Sequence, residues 1–191
     1  MKRLILASNS PRRKMLLEQA GVRDFIVRPA PGEELKAGDL PPAEAVVEIA
    51  RSKGRQVADI SEPGDFILAA DTMVYLEGEL LGKPKDEAEA QAMLRRLSDK
   101  RHTVYTGVAL LFAGREVTGV ERTDVYFGPL TDVEIFDYVK TGEPMDKAGA
   151  YGLQGRAAVF IRRIEGDVHN VIGLPLYRLG QLMKEMGVQI F

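Results

Sequence analysis

Apolar positions recur along the chain with two periods, and the order of the resulting blocks predicts an α/β fold. Ile5-Leu6-Ala7 reads as the end of a buried strand, Ser8-Asn9-Ser10 as a polar turn, and Pro11 as the first residue of a helix capped by Ser10. That helix carries Met15, Leu16, Leu17 and Ala20 and stops at Gly21, a usual residue just past a helix end. Residues 22–41 are rich in proline and glycine and read as one long loop. From Pro42 a second helix sets Ala43, Val46, Val47, Ala50, Gly54 and Val57 on one apolar stripe. The continuous run 66–70, FILAA, reads as a central strand that ends at Asp71-Thr72 before the apolar pattern resumes over 73–76.

A hairpin turn at Glu77-Gly78-Glu79 follows, then a tight turn at Leu81-Gly82-Lys83-Pro84 and a helix over about 86–97 with Ala90, Met93, Leu94 and Leu97 on its apolar face. Two long runs, about 103–112 and 116–127, meet near Ala113-Gly114 as an antiparallel pair. Thr131-Asp132-Val133-Glu134 is a capping box that opens a helix closing near Gly142. Residues 142–155, GEPMDKAGAYGLQG, hold too many glycines and charges to be expected in a core, 157–164 read as a strand, and 173–176 open a final amphipathic helix.

Composition narrows what these elements can do. The 191 residues suffice for one sizeable core or for one core drawn into two lobes. A 45% hydrophobic and 28% charged make-up is that of a globular protein. Lysine and arginine number 26 against 28 acidic residues, a net charge of −2, so no global field draws nucleic acid or an anionic membrane, and any anion site must be local. With no cysteine, thiol nucleophiles, disulfides and cysteine-ligated zinc are excluded, and the two histidines, His102 and His169, stand too far apart to suggest a histidine metal site. The apolar run near the N-terminus is too short for a signal-peptide core or a membrane span, and the expected location is the cytoplasm.

Candidate chemistry gathers in four places. The turn at 8–13 combines the N–H groups and positive dipole end of a helix with Arg12 and Arg13. The arginines are either ordinary solvated residues or ligands of an anion that offsets their unfavourable place at the positive helix end. Lys53 falls in the stripe of the second helix and either snorkels to the rim or points at a polar site. Asp71, at an expected strand end, is either a turn residue or a carboxylate placed for metal or water. In 142–155, Asp146 and Lys147 offer a charge pair and Gln154 a two-way amide, either as a stapled structural loop or as a ligand contact.

Basic groups for phosphates and carboxylates for a divalent cation and a water are the parts needed to hydrolyse a phosphoanhydride. No serine–histidine–aspartate set competes with them, and the chain lacks a GxxxxGK[ST] loop, a GxGxxG turn and the protein-kinase signatures.

Several separated motifs carry a resemblance along the whole chain: LASNSPRRKMLLEQAG at 6–21, AADTMV at 69–74, LGKP at 81–84, TGV at 106–108, GEPMDKAGAYGLQG at 142–155 and NVIGLPL at 170–176. Together they resemble the Maf family, often called septum formation inhibitor proteins, which are nucleoside triphosphate pyrophosphatases. The resemblance implies a single domain over 1–191 with an α/β fold, a mixed twisted sheet and flanking helices in two lobes around a central cleft, similar to the inosine triphosphate pyrophosphatases. It implies hydrolysis of a nucleoside triphosphate to the monophosphate and pyrophosphate with a divalent cation, magnesium or manganese, and a homodimer with no nucleic-acid or membrane partner.

Residue by residue, the resemblance makes Asp71 the proton acceptor and places Ser8, Arg12, Arg13, Lys53 and Lys83 where the family contacts phosphates or supports catalysis. A loop carboxylate in PGEEL matches Glu34, or Glu33 if the match shifts by one, and Asp71 with Glu34 would hold the metal. Arg12, Thr72 and Gln154 match positions that follow base preference. The GAYGLQG segment resembles the subgroup that takes dTTP and UTP, and a glutamine amide suits the O4–N3 edge of thymine or uracil. The alternatives left by the sequence are the same chemistry on 7-methyl-GTP or modified pyrimidine nucleotides, or a nucleotide-binding regulator of cell division that need not cleave its ligand.

Overall fold

A strand, a helix and a second strand in close succession pair most readily in parallel, with the helix as the crossover. In the computed structural model, which describes residues 3–33, 35–36 and 38–188, β1 (Leu4–Leu6) lies between β2 (Phe25–Val27) and β3 (Phe66–Leu76), parallel to both. The crossovers are α1 (Pro11–Gln19) and α2 (Pro42–Ala58). β3 turns back at Glu77-Gly78 into β4 (Glu79–Leu81), and α3 (Glu87–Leu97) leads to the long hairpin of β5 (Arg101–Phe112) and β6 (Arg115–Phe127). After α4 (Asp132–Lys140) come short 3₁₀ turns, β7 (Ile161–Glu165), α5 (Val168–Ile172) and α6 (Leu176–Glu185). The seven-stranded sheet runs β2-β1-β3-β5-β6-β7 with β4 on β3, a mixed α/β sheet as the pattern predicted. No helix among the described residues is long and apolar enough to cross a membrane.

Contacts group the residues into two compact units. The first holds the residues up to Asp71, Thr106–Glu121 and the residues from Gly173 onward. In it Ile5, Ala7, Val57, Ile67 and Ala69 are buried together, which packs α2 against β1 and β3. α2 also lies directly on β5 at Gly107, where a Cβ would meet the Val46 carbonyl oxygen at 2.3 Å. The TGV motif therefore needs its glycine for close approach of helix backbone to strand. The second unit, Thr72–Tyr105 with Arg122–Ile172, has its own core in which Leu76, Leu94, Leu97, Phe127 and Tyr138 are buried.

Five expectations need correction. The loop 22–41 contains β2, whose three residues pair with β1; the proline and glycine around it hide so short an apolar run. β3 does not end at Asp71 but continues to Leu76, because a single acid interrupts the hydropathy pattern without interrupting the backbone ladder. The stretch 142–155 does reach a core: Ala150 and Tyr151 are buried with Phe127 and Tyr138. The expected strand 157–164 begins only at Ile161, since Arg156–Phe160 form a 3₁₀ turn. On α1, Leu16 and Leu17 are buried while Met15 is 37% exposed, so the apolar face is narrower than the periodicity implied.

Candidate active site

The turn after β1 is built around one hydroxyl. Pro11 opens α1 and Ser10 caps it, its Oγ accepting from the Arg13 amide at 3.5 Å. Ser8 is buried, and its Oγ accepts from the Ser10 amide at 3.1 Å and from Arg13 Nη1 at 3.0 Å. A serine hydroxyl has two acceptor lone pairs and one proton. With both lone pairs engaged, Ser8 keeps only its O–H to offer, so it is set as a donor toward an oxygen-rich ligand. Arg13 is fixed in turn by Nε donating to the Gly173 carbonyl at 2.8 Å. The PRR and NVIGLPL motifs thus meet through one guanidinium, and a planar fork can hold both contacts at once where an ammonium could not. Arg12 stands half-buried on the same first turn. The role of the Gly173 carbonyl carried no sequence signal, because a backbone acceptor is independent of residue type.

Lys53 resolves its two readings in favour of the polar one. From the middle of α2, its Nζ reaches Asp71 Oδ1 at 2.6 Å. The two side chains are 17% and 11% exposed, so the pair is largely withdrawn from water. β1 pairs with β3 only over Phe66–Leu68, and the Ala7 amide closes the pairing on the Leu68 carbonyl at 2.8 Å. Asp71 lies three residues farther along β3, and Ser8 follows Ala7 on the β1 side. Asp71 is thereby held by a continuous strand, with its carboxylate oriented by an ammonium from the neighbouring helix. Such a group can accept a proton from water or contribute to a cation site.

Thr72, Lys83, Asp146, Lys147 and Gln154 belong to the second unit. Thr72 is half-buried on β3 and Lys83 is exposed after β4. The LGKP turn is joined to the glycine-rich segment by the Gly149 amide, which donates to the Gly82 carbonyl at 3.0 Å. Within that segment Lys147 Nζ donates to Asp146 Oδ1 at 2.6 Å, the charge pair the sequence offered, and to the Glu143 carbonyl at 2.5 Å. Gln154 is exposed. Glu34 lies outside the described residues, and Glu33 is exposed with its carbonyl accepting from Gln56 Nε2 at 3.4 Å.

A magnesium ion is usually held by one or two carboxylates together with substrate phosphates and waters. Among the described residues no three histidine, cysteine, aspartate or glutamate side chains cluster as a ready cage. A single strand-held carboxylate, Asp71, fits the sparse mode of binding in which the nucleotide brings most of the ligands.

Comparison with known proteins places the chain in context. A family model described as Maf-like protein matches residues 3–186. A protein of Geobacillus sp. (strain WCH70) named dTTP/UTP pyrophosphatase is 52% identical over 187 residues, covering 98% of this chain and all of the relative. One of the same name from Symbiobacterium thermophilum is 50% identical over 191 residues, covering all of this chain and 97% of the relative. Among solved structures, the Staphylococcus aureus Ham1 protein superposes with a TM-score of 0.54 at 15% identity over 97% of this chain and all of that one, a likeness of fold.

Proposed function

We propose that this chain, which belongs to the Maf family, hydrolyses dTTP and UTP to the nucleoside monophosphate and pyrophosphate. What carries the reading is full-length identity of 52% to a relative named dTTP/UTP pyrophosphatase. The first unit supplies fitting chemistry of its own: a carboxylate fixed by an ammonium at 2.6 Å, a serine hydroxyl left as a donor, and two arginines at a helix N-terminus.

In this reading Asp71 takes the proton from the attacking water. Lys53 holds the carboxylate in one orientation, so the base need not be ordered at the moment of reaction. Ser8 donates its O–H to a phosphate oxygen, and Arg12 and Arg13 neutralise the triphosphate with the α1 N-terminus behind them. Lys83 adds a further phosphate contact, Thr72 and Gln154 read the base, and the Gln154 amide matches the acceptor and donor of the thymine or uracil O4–N3 edge. Asp71 and the loop carboxylate Glu34 would hold magnesium or manganese. That ion supplies charge neutralisation and activation of water when bound.

A cytoplasmic setting and a homodimer complete the reading; the family resemblance supports the homodimer, and light scattering on the purified protein tests it. The substrate is tested with a panel of dTTP, UTP, dCTP, dGTP and 7-methyl-GTP at one concentration with magnesium, products separated by chromatography. The reading requires monophosphate and pyrophosphate from dTTP and UTP ahead of the others. Diphosphate and orthophosphate, or a preference for 7-methyl-GTP, would overturn it.

A further inference from the structure

Between α4 and β7 one carboxylate has no place in the chemistry described so far, yet several contacts of the glycine-rich segment converge on it. Glu143 follows Gly142 at the end of α4 and is partly buried. Its Oε1 accepts from the Tyr138 hydroxyl at 3.1 Å, and its Oε2 accepts from the Arg156 amide at 3.0 Å. The carboxylate lies against Gly155 so closely that a Cβ there would sit 2.0 Å from Oε1 and 2.4 Å from Cδ. The Glu143 backbone is engaged as well, its carbonyl accepting from Lys147 Nζ at 2.5 Å. The Lys147 side chain in turn covers Gly152, where a Cβ would lie 2.6 Å from Cε. The Gly155 amide closes the turn on the Gly152 carbonyl at 3.1 Å.

Gln154 is therefore enclosed in sequence by two glycines, each seated on part of the Glu143–Lys147 pair. Glycine-flanked backbone is intrinsically the least ordered. An exposed amide carried on it selects between bases only if something else fixes its place. Tyr138, 4% exposed on α4 and edge-on to Phe160 at 5.3 Å, anchors the peg to the core. Burial, with the Glu143 charge second, pushes the Tyr138 hydroxyl well above its usual range, so it remains a donor.

We propose that Glu143 is a positioning residue for base selection: its carboxylate is the peg on which residues 152–156 fold, and it acts on the nucleotide through Gln154. The proposal rests on the reading of Gln154 as the residue that meets the base. It explains the glycine at 155, where any side chain would displace the carboxylate, and the glycine at 152, where one would displace Lys147.

The test uses the full chain with dTTP and dCTP, whose N4–N3 edge presents donor and acceptor reversed from the O4–N3 edge of thymine, in the wild type, Glu143→Ala, Glu143→Gln and Gln154→Ala. Amide hydrogen exchange at Gly155 and Arg156 is followed on the same samples. Displacements near 1 Å at a reacting complex cost on the order of a hundredfold. We expect Glu143→Ala to lower the dTTP-to-dCTP ratio of kcat/KM by about tenfold or more, mainly through KM for dTTP, and to speed exchange at Arg156. Glu143→Gln keeps an acceptor for the Arg156 amide and should restore most of both. If Glu143→Ala speeds exchange but leaves the ratio unchanged while Gln154→Ala collapses it, the residue is a structural peg only and the proposal is wrong. If Gln154→Ala itself leaves the ratio unchanged, the base-reading role of Gln154 falls and the proposal falls with it. A wild type that turns over neither nucleotide overturns the pyrophosphatase reading. Should Glu143→Ala not fold, Tyr138→Phe, which removes the hydroxyl that donates to Glu143 Oε1, carries the same comparison, with a ratio at the wild-type value as the contrary result.

Discussion

Lys53 Nζ stands 2.6 Å from Asp71 Oδ1, an ammonium from α2 set on a carboxylate in the middle of β3. Each side chain is mostly shielded from water, so removal of one takes from the other a short charge-assisted hydrogen bond. Lys53→Met and Asp71→Asn should each destabilise the protein by roughly 1–3 kcal/mol. The double variant should cost less than the sum, with a coupling on the order of 0.5–3 kcal/mol. Urea unfolding of the four proteins measures the cycle, and simple additivity would show that the pair does not interact in solution.

The hydrogen bonds around Ser8 assign different work to neighbouring residues. Ser8→Ala removes the O–H donor and leaves Arg13 Nη1 and the Ser10 amide without the acceptor they use. A hydrogen bond to a charged group contributes about 1.5–3 kcal/mol, so KM for dTTP should rise by roughly ten- to a hundredfold with a smaller change in kcat. Arg13→Lys cannot span both Ser8 Oγ and the Gly173 carbonyl and should reproduce much of that loss. Steady-state kinetics on the two variants would contradict the assignment if KM stayed at the wild-type value in both.

The chain disclosed these features unevenly. The cap at Ser10 and the capping box of α4 were legible because each depends on local spacing that tertiary contacts reinforce, and the α2 stripe was legible at Val46, Ala50, Gly54 and Val57, whereas the buried face runs through Ala45 and Ile49 instead of Ala43 and Val47. Lys53 stayed ambiguous because periodicity shows which face a lysine is on but not what waits there. Asp71 looked like a strand end since an acid breaks an apolar run, although the backbone ladder tolerates it. β2 is too short to stand out among prolines, and Tyr151 was masked by the glycines that let its segment turn into a core. Glu143 went unremarked beside the more conspicuous Asp146 and Lys147; a glutamate shortly before two glycines spaced by three was the signal available.

A histidine outside the site gives stability a pH dependence. His102 is 1% exposed, meets Tyr151 by a hydrogen bond of 2.7 Å and packs edge-on to Phe127. Burial pushes it down to about 4, with Asp124 opposing in part. The unfolded chain, with an ordinary histidine near 6.5, binds more protons than the folded one between these values. Stability is therefore full above about pH 6.5 and falls as pH drops toward 4, by up to about 3 kcal/mol from this residue. Urea midpoints at pH 5 and pH 7 should differ in the wild type and differ less in His102→Gln; equal slopes would remove His102 as the cause.

The sparse carboxylate set has a consequence for metal. Because magnesium is usually held by one or two carboxylates with substrate phosphates and waters, an ion on the strand-held Asp71 should arrive with the nucleotide. A chelator should abolish turnover of dTTP, magnesium or manganese should restore it, and the melting temperature of the nucleotide-free protein should not change with chelator. A melting temperature lowered by the chelator alone would mean a resident structural ion instead.

The central claim is that Asp71 takes the proton from water in cleavage of dTTP to dTMP and pyrophosphate, and phosphorus NMR of dTTP with magnesium tests it in one experiment. The wild type should produce dTMP and pyrophosphate, and Asp71→Asn, still folded by circular dichroism, should do so about 10²–10⁴ times more slowly. Orthophosphate and dTDP from the wild type, or turnover in Asp71→Asn near the original rate, would contradict the account.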